Sequence, residues 1–325
     1  MFDFVLEKKP NNENLKLLSL YDLIVIGAGP GGSNAALYAK RKGLEVLLVT
    51  KNLGGQMTDS NTIENYLGTP SITGTKLNNS FIDHLNSLNL PILDNVTVTK
   101  ITKNNQVFHI QLNDKSILKA KTVIIATGTS PKKLNVKGED LFSGKGIAYC
   151  AICDGPLYKG KNVLVAGSKN PALEIAFDSA KIAKLVTVVS NEVNFAADQV
   201  LIEKLKSLNN VNFLLNTTIK EFIGNEKLET VSIYSNNTNN EDILKVDGAF
   251  IHVGYNPNSD IVKDLVDKNS KHEIIVNNLQ ETSLEGLFAV GDVTNSPYKQ
   301  IIIAASQGAT AALRANEYIT RKDVL

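Results

Sequence analysis

Residues 23–32 read LIVIGAGPGG, an apolar run that leads directly into a glycine-rich turn. The apolar part, Leu23–Ile26, is typical of a strand buried in a parallel sheet. Helical composition follows the turn, and a second apolar run at Val46–Val49 comes next. The order strand, glycine turn, helix, strand predicts a dinucleotide-binding unit. The residues of the turn that would face the dinucleotide are Gly27, Gly29, Pro30 and Gly32.

Each glycine of the G-x-G-x-x-G turn has a distinct expected purpose. Gly27 permits a tight turn, Gly29 lets the backbone approach a pyrophosphate, and Gly32 allows close helix packing. The acidic residue that usually holds the adenine ribose is missing, because residues 50–52 read TKN. A glycine turn without a ligand therefore remains an alternative at this point.

The same order of elements recurs in the middle of the chain. We expect a strand over residues 162–166, a turn opened by Gly167, a helix over residues 171–184 and a strand over residues 185–189. The chain therefore contains a second nucleotide-fold unit.

The C-terminal part predicts a return to the first unit. Residues 287–292 form a strand that ends in a turn, and a helix is expected over residues 301–318. The fold class is α/β, with two Rossmann-like domains, the second inserted into the first. We place the first domain at residues 1–128 and 253–325, and the second domain at residues 129–252.

Composition excludes several classes of protein. The 325 residues are enough for two domains, and 34 basic against 33 acidic side chains leave no basic run that would bind nucleic acid. No uncharged apolar stretch approaches the ~18 residues of a membrane span. Residues 1–10 lack the pattern of a secretory signal, so we expect a cytoplasmic protein.

The two cysteines are Cys150 and Cys153, and Asp154 follows directly. Two thiols at this spacing suit reversible disulfide formation, one attacking a partner disulfide and the other resolving the mixed disulfide. Asp154 is placed to move the proton. No metal site is expected, because the four histidines lack ligand spacing. The alternative is that both cysteines are structural and take no part in redox chemistry.

Taken together, the motifs identify a family. The sequence resembles the low-molecular-weight thioredoxin reductases from Tyr21 to about Thr320. Besides the first glycine turn, the residues that carry this resemblance are Gly54–Met57, Glu64–Gly68, Ala126–Gly128, Cys150–Gly155, Gly291–Val293, Gln300 and Ile301.

The resemblance implies that the two domains are of the flavoprotein disulfide reductase type. It also implies FAD in the first domain, a dithiol in the second, thioredoxin as electron acceptor and a homodimer. It maps attack on thioredoxin to Cys150, the flavin-proximal sulfur to Cys153 and acid–base work to Asp154. It places Gly291 and Asp292 near the ribitol and pyrophosphate. The other residues that it assigns to the cofactor are Gly55, Gln56, Asn65, Thr127, Gly128, Gln300 and Ile301.

The second glycine motif departs from that of the NADPH-using members. Lys169 stands where those members have the glycine that admits the pyrophosphate, and residues 190–192 read SNE instead of a basic cluster. No arginine lies between Arg41 and Arg314, so no guanidinium can clamp a 2′-phosphate. These departures resemble the ferredoxin-dependent flavin thioredoxin reductases, so ferredoxin is the expected donor.

Other functions remain open from the residues alone. Glu192 could bind the unphosphorylated ribose of NADH, and lysines such as Lys169 or Lys184 could serve NADPH in place of arginine. A dithiol oxidase that uses oxygen and a non-catalytic flavin-binding protein are further alternatives.

Overall fold

The computed structural model describes residues 15–59, 63, 65–149 and 155–323. The chain divides into two compact units. The first unit comprises the chain up to Ser130 together with the part from Asn256 onward, and the second unit comprises Pro131–Tyr255. The second unit is inserted into the first, and the expected fold class is confirmed.

The first unit is built on a mixed sheet with strand order β3-β2-β1-β6-β5-β4, in which β17 also pairs with β6. The elements that precede the insertion are β1 (Tyr21–Ala28), α1 (Pro30–Arg41), β2 (Val46–Leu53), α2 (Gly74–Ser87), β3 (Ile92–Leu93), β4 (Val98–Asn104), β5 (Val107–Leu112), β6 (Ile117–Ile125) and β7 (Thr129–Pro131).

The second unit contains a five-stranded parallel sheet with strand order β11-β10-β9-β15-β8 and a three-stranded antiparallel sheet, β12-β13-β14. Its elements are β8 (Ile147–Ala148), β9 (Asn162–Ala166), α3 (Asn170–Ala180), β10 (Leu185–Val189), α4 (Gln199–Lys206), β11 (Val211–Leu214), β12 (Thr217–Gly224), β13 (Leu228–Ser235), β14 (Asn240–Lys245) and β15 (Gly248–Ile251).

The chain then returns to the first unit through β16 (Tyr255–Pro257), β17 (Leu287–Ala289) and α5 (Ile301–Asp323). The strand β17 lies parallel to β6. No helix in the described part of the chain is long and apolar enough to cross a lipid bilayer.

The strand β1 is apolar on both faces because both faces of the sheet are covered. Leu23 and Val25 pack with apolar residues of α1 and α5 on one face, whereas Ile24 and Ile26 belong to the core on the other. Ile24 pairs with Leu47 of β2 and with Val123 of β6, so β1 lies in the centre of the parallel part of the sheet.

The helix expected over residues 171–184 is shorter in the structure and ends at Ala180. Asn210, which directly precedes β11, donates from Nδ2 to the carbonyl of Ala180 at 2.8 Å and to that of Ala183 at 3.3 Å. These bonds satisfy carbonyls at the helix end, and the chain turns into β10 at Leu185. A residue distant in sequence therefore sets the end of α3.

Helices α1 and α5 cross at unusually small separation. A Cβ atom at Gly308 of α5 would collide with the carbonyl oxygen of Gly31 in α1, and one at Gly31 would lie 3.2 Å from the carbonyl oxygen of Ala304. Asn34 Nδ2 donates to the carbonyl of Ala305 at 2.7 Å and links the two helices. The crossing requires glycine on both helices.

The first prediction concerns this crossing. Gly308→Ala would stabilise an exposed helix by about 1 kcal/mol. Here we expect Gly308→Ala to lower the free energy of unfolding by about 1–3 kcal/mol, because the new methyl group collides with the backbone of α1. Thermal unfolding followed by circular dichroism measures the change, and Ser306→Ala on the exposed face of α5 is the control. An unchanged or higher melting temperature for Gly308→Ala would contradict the crossing.

Candidate functional site

The candidate cofactor-binding segments of the first unit follow the carboxyl ends of four paired strands. β1 lies between β2 and β6, and β17 pairs with β6, all of them parallel. In such sheets, ligands bind in the crevice outside the carboxyl ends of the strands. The segments that share this edge are Gly27–Gly32, Gly54–Gln56, Ala126–Gly128 and Gly291–Asp292.

The three glycines of the first turn differ in what surrounds them. Gly27 has a φ of +104°, and a Cβ there would collide with the carbonyl oxygen of Ala126. A Cβ at Gly32 would collide with the carbonyl oxygen of Gly27. Gly29 has an ordinary φ of −70°, and the nearest atom to an added Cβ is the carbonyl oxygen of Gly54 at 3.9 Å. The fold itself requires glycine at positions 27 and 32, whereas the space beside Gly29 is open.

The turn after β2 lies beside Gly29. Gly54 donates its N–H to the carbonyl of Ala28 at 3.0 Å, and a Cβ at Gly55 would lie 3.6 Å from the Cα of Gly29. Thr50 occupies the place of the usual acidic residue, and its Oγ1 accepts from the N–H of Ala28 at 3.2 Å. Thr50 is buried and joins β2 to the start of the glycine turn.

Gln56 and Asn258 connect the segment after β6 to its neighbours. Gln56 Nε2 donates to the carbonyl and the hydroxyl of Thr129 at 2.8 and 2.9 Å. Asn258 Nδ2 donates to the carbonyl of Thr127 at 2.9 Å, and the Thr127 hydroxyl donates to the carbonyl of Asn258 at 2.7 Å. The N–H of Asn258 donates to the carbonyl of Gly128. Sequence reasoning missed Asn258 because no local motif marks it.

Gly291 and Asp292 form the turn after β17. Gly291 has a φ of +74°, and its N–H donates to Gln307 Oε1 of α5 at 2.8 Å. Asp292 is half-buried. Burial raises the pKa of its carboxyl, and the nearby Lys299 charge opposes that rise. No described residue donates a hydrogen bond to this carboxyl, which leaves it able to accept one from a ligand hydroxyl.

Asn65, Gln300 and Ile301 lie together in the first unit. Asn65 Nδ2 donates to Gln300 Oε1 at 3.2 Å, and both side chains are exposed. Ile301 is the first residue of α5. The structure thus joins these two polar side chains, and it places Gln300 directly before the helix that contributes Gln307 to the Gly291 turn.

Cys150, Cys153 and Asp154 lie outside the described residues. The residue before Cys150 is firmly held, because Tyr149 donates its hydroxyl to Glu139 Oε1 at 2.9 Å. The Glu139 side chain is buried and also accepts from the N–H groups of Leu134 and Asn135, at 3.0 and 2.6 Å. Burial and the Glu139 carboxylate raise the pKa of Tyr149, so its hydroxyl stays protonated. Sequence reasoning missed this pair.

The second unit has a corresponding turn after β9. Gly167, with a φ of +148°, lies against the carbonyl of His252. Lys169 precedes α3 with an extended backbone, φ −104° and ψ 168°, comparable to −70° and −177° at Gly29. Its side chain is exposed at this turn, and so are those of Asn191 and Glu192 after β10. Two turns with similar backbone conformation before their helices therefore differ in whether that position carries a side chain.

The family model for pyridine nucleotide-disulphide oxidoreductases matches residues 21–308. The chain therefore belongs to this family. Fold and family together define it as a flavoprotein disulfide oxidoreductase with FAD as its cofactor.

Among solved structures, the thioredoxin reductase of Streptococcus pyogenes is 35% identical, with a TM-score of 0.74, over 93% of this chain and 99% of that chain. A ferredoxin-flavin thioredoxin reductase of Clostridium acetobutylicum is 30% identical, with a TM-score of 0.51, over 93% and 99%. The expected resemblance to thioredoxin reductases is confirmed at the level of family and fold.

A curated relative is one of the subunits of the alkyl hydroperoxide reductase of Staphylococcus aureus, 37% identical over 301 residues. The match covers 93% of this chain and 59% of that protein. The chain thus spans little more than half the length of this relative.

The residues of the first unit fit FAD, and the corresponding turn of the second unit differs from them in side chain and charge. Beside Gly29 the backbone is open to a pyrophosphate, and the Asp292 carboxyl lacks a protein donor among the described residues. At the equivalent turn of the second unit, Lys169 carries a side chain where the first unit has Gly29. Glu192, which follows β10, brings a negative charge.

The second prediction tests the open turn. Gly29→Leu should give protein that folds but is colourless, because the side chain enters the space that a pyrophosphate needs. The ratio of flavin to protein absorbance measures FAD content, and circular dichroism checks folding.

Lys169→Leu, at the equivalent position of the second unit, is the matched control and should keep its flavin. A Gly29→Leu variant with the parent's flavin content would refute this placement of FAD.

Proposed function

We propose that the protein is an FAD-dependent thioredoxin reductase that takes electrons from ferredoxin and passes them through a Cys150–Cys153 disulfide to thioredoxin. We further propose that it works in the cytoplasm as a homodimer. One observation carries the proposal: the turn that opens α1 is clear at Gly29, whereas the similar turn that opens α3 bears Lys169. The dithiol segment belongs to a unit that keeps the Rossmann-type sheet without the features that bind a dinucleotide.

The electrostatics of the second unit also oppose NADPH. A 2′-phosphate needs a fixed cationic clamp, and guanidinium groups supply it best. The sequence has no arginine between Arg41 and Arg314, and Glu192 lies exposed after β10, where it would repel a phosphate. Losing one charged contact costs at least about 1.5 kcal/mol, hence more than tenfold in affinity. Ferredoxins are generally acidic, so exposed lysines favour a transient, salt-sensitive encounter with them.

The proposed electron transfer balances with a one-electron donor. FAD, held beside Gly29 and Asp292, would supply the chemistry that links two one-electron transfers from reduced ferredoxin to the two-electron reduction of a disulfide. With two protons, the two electrons convert the Cys150–Cys153 disulfide into two thiols. The Cys150 thiolate attacks the thioredoxin disulfide, and the Cys153 thiolate then displaces reduced thioredoxin and restores the disulfide. Asp154 holds or transfers the proton.

The contacts around Tyr149 hold the residue that precedes the dithiol segment. Glu139 accepts three hydrogen bonds, and one of them comes from the residue that precedes Cys150. A buried carboxylate is stable only when donors satisfy it. Tyr149 is therefore anchored within the second unit, which suits a neighbouring thiol that must meet a protein disulfide in a defined orientation.

A second candidate concerns the acceptor. The relative in Staphylococcus aureus belongs to an alkyl hydroperoxide reductase, and it is 37% identical over 93% of this chain. Under this alternative the dithiol would deliver electrons to a peroxide-reducing partner. Parallel assays with thioredoxin and with a hydroperoxide-reducing system distinguish the two acceptors.

The third prediction concerns the donor. Under anaerobic conditions, reduced ferredoxin should bleach the flavin rapidly, and the rate should fall as salt is added. NADPH and NADH should act slowly or not at all, because the second unit offers them Lys169 and Glu192 instead of a glycine and a cationic clamp.

Stopped-flow absorbance follows the bleaching, and chemical reduction by dithionite serves as the control for a competent flavin. Efficient reduction by micromolar NADPH would disprove the ferredoxin assignment.

The fourth prediction concerns the dithiol. Cys153→Ser should leave the flavin reducible by its donor but abolish thioredoxin reduction, because the sulfur assigned to the flavin side is lost. Ala151→Ser, which changes the same segment but keeps both sulfurs, should retain turnover. Insulin precipitation by reduced thioredoxin reports the activity, and continued turnover by Cys153→Ser would rule out this disulfide.

A further inference from the structure

The turn Gly291–Thr294 is held from several sides. Thr294 is buried, and its N–H and its hydroxyl both donate to the carbonyl of Gly291, at 3.0 and 2.8 Å. The N–H of Ile274 donates to the carbonyl of Val293 at 2.9 Å. Gln307 binds the N–H of Gly291 from α5. These bonds leave Asp292 on a turn with a defined backbone.

Lys299 is a further connection to this turn, and it uses its charge to bind backbone. Its ammonium group donates to the carbonyl of Thr294 at 2.6 Å and to that of Asp292 at 3.1 Å. It also pairs with Glu273 Oε1 at 3.1 Å. An ammonium group has three donors, so these three contacts account for its hydrogen-bonding capacity.

Glu273 is itself fixed, so it can hold Lys299 in one place. Its side chain is 16% exposed, against 31% for Lys299. Asn269 Nδ2 donates to its other oxygen at 2.7 Å. Burial raises the pKa of Glu273, but hydrogen bonds from Asn269 and Lys299 outweigh this effect and lower it overall. Glu273 is therefore ionised at neutral pH, and the pair is more enclosed than an ordinary surface ion pair.

The position of Lys299 in the chain gives this contact its importance. It immediately precedes Gln300 and the start of α5 at Ile301, and its ammonium group reaches back to the Asp292 turn. Two parts of the candidate FAD site are therefore joined by one side chain. No described residue other than Lys299 brings a charge to the Asp292 carboxyl, and Glu273 faces Lys299 on its far side.

We propose that Lys299, held by Glu273, is a positioning residue that fixes the Asp292 turn relative to Gln300 for FAD binding. The inference rests on FAD in the first unit and is independent of the donor and acceptor. Lys299 acts through backbone carbonyls and through its charge. A neutral side chain of similar length fills the same space but performs neither task.

The fifth prediction uses Lys299→Met and Lys299→Arg, with Lys271→Met as the matched control. Lys271 also brings positive charge to Glu273 but makes no side-chain contact with the turn. The dissociation constant of FAD from the apoprotein, measured by quenching of flavin fluorescence, should rise about tenfold or more in Lys299→Met. Lys299→Arg keeps the charge and donors and should recover most of the affinity, and Lys271→Met should match the parent.

The pH dependence separates positioning from loss of folding. FAD affinity should fall at low pH as Asp292 becomes protonated, because the neutral carboxyl is a weaker acceptor. Lys299 lowers the pKa of Asp292 against the effect of burial, so Lys299→Met should move this acid limb to higher pH. Lys299→Arg should leave it in place.

Two results would overturn the inference. One is parent-like FAD affinity and an unmoved acid limb in Lys299→Met. The other is loss of affinity in Lys299→Met and Lys299→Arg alike, with an equal fall in the melting temperature of both apoproteins, which would mark a structural role only. A protein that binds FAD as expected but fails to reduce thioredoxin would disprove the proposed function and leave this inference standing.

Discussion

The first unit depends on close backbone contacts at the start of α1. Gly32 lies against the carbonyl of Gly27, Gly27 lies against that of Ala126, and Gly308 of α5 lies against that of Gly31. No side chain fits at Gly27, Gly32 or Gly308. The backbones of β1, β6, α1 and α5 are therefore in direct contact. The segments that follow β1, β2, β6 and β17 reach the same edge of the sheet because these strands are parallel. The close contacts then hold α1 and α5 against that edge, where the candidate FAD site lies.

The two glycine turns of the chain separate structural from ligand-dependent requirements. Gly27 and Gly167 both have positive φ values, and both would collide with neighbouring backbone if they carried a Cβ. The fold needs these glycines whether or not a dinucleotide binds. Gly29 and Lys169 have ordinary extended φ values, so the backbone accepts any residue at either position. The backbone therefore does not demand glycine at position 29, whereas a pyrophosphate bound beside it would; the second unit has Lys169 at the corresponding position.

Local patterns were sufficient for the buried strands beside the glycine turns and for the order strand, turn, helix, strand in each unit. The strands over residues 162–166 and 185–189 have the predicted bounds, because buried parallel strands are short apolar runs with polar boundaries. The helix α3 is shorter than its composition indicated, because Asn210 satisfies the carbonyl of Ala180 from 30 residues away. Asn258 binds Thr127 across 131 residues. Such contacts exist only after folding, and no spacing rule in a single sequence reveals them.

Glu139 and Lys299 serve related purposes in the two units. Each is a charged side chain that forms hydrogen bonds with backbone groups beside a segment assigned to electron transfer. Glu139 accepts hydrogen bonds from two N–H groups and from the Tyr149 hydroxyl. Lys299 donates hydrogen bonds to two carbonyls. Charge-assisted hydrogen bonds are stronger than neutral ones, so a single side chain can fix a turn that has no regular secondary structure. A turn held in this way keeps its geometry when a ligand or a partner protein binds. Asp292 requires that property, because it lies in a short turn outside the strands and the long helices.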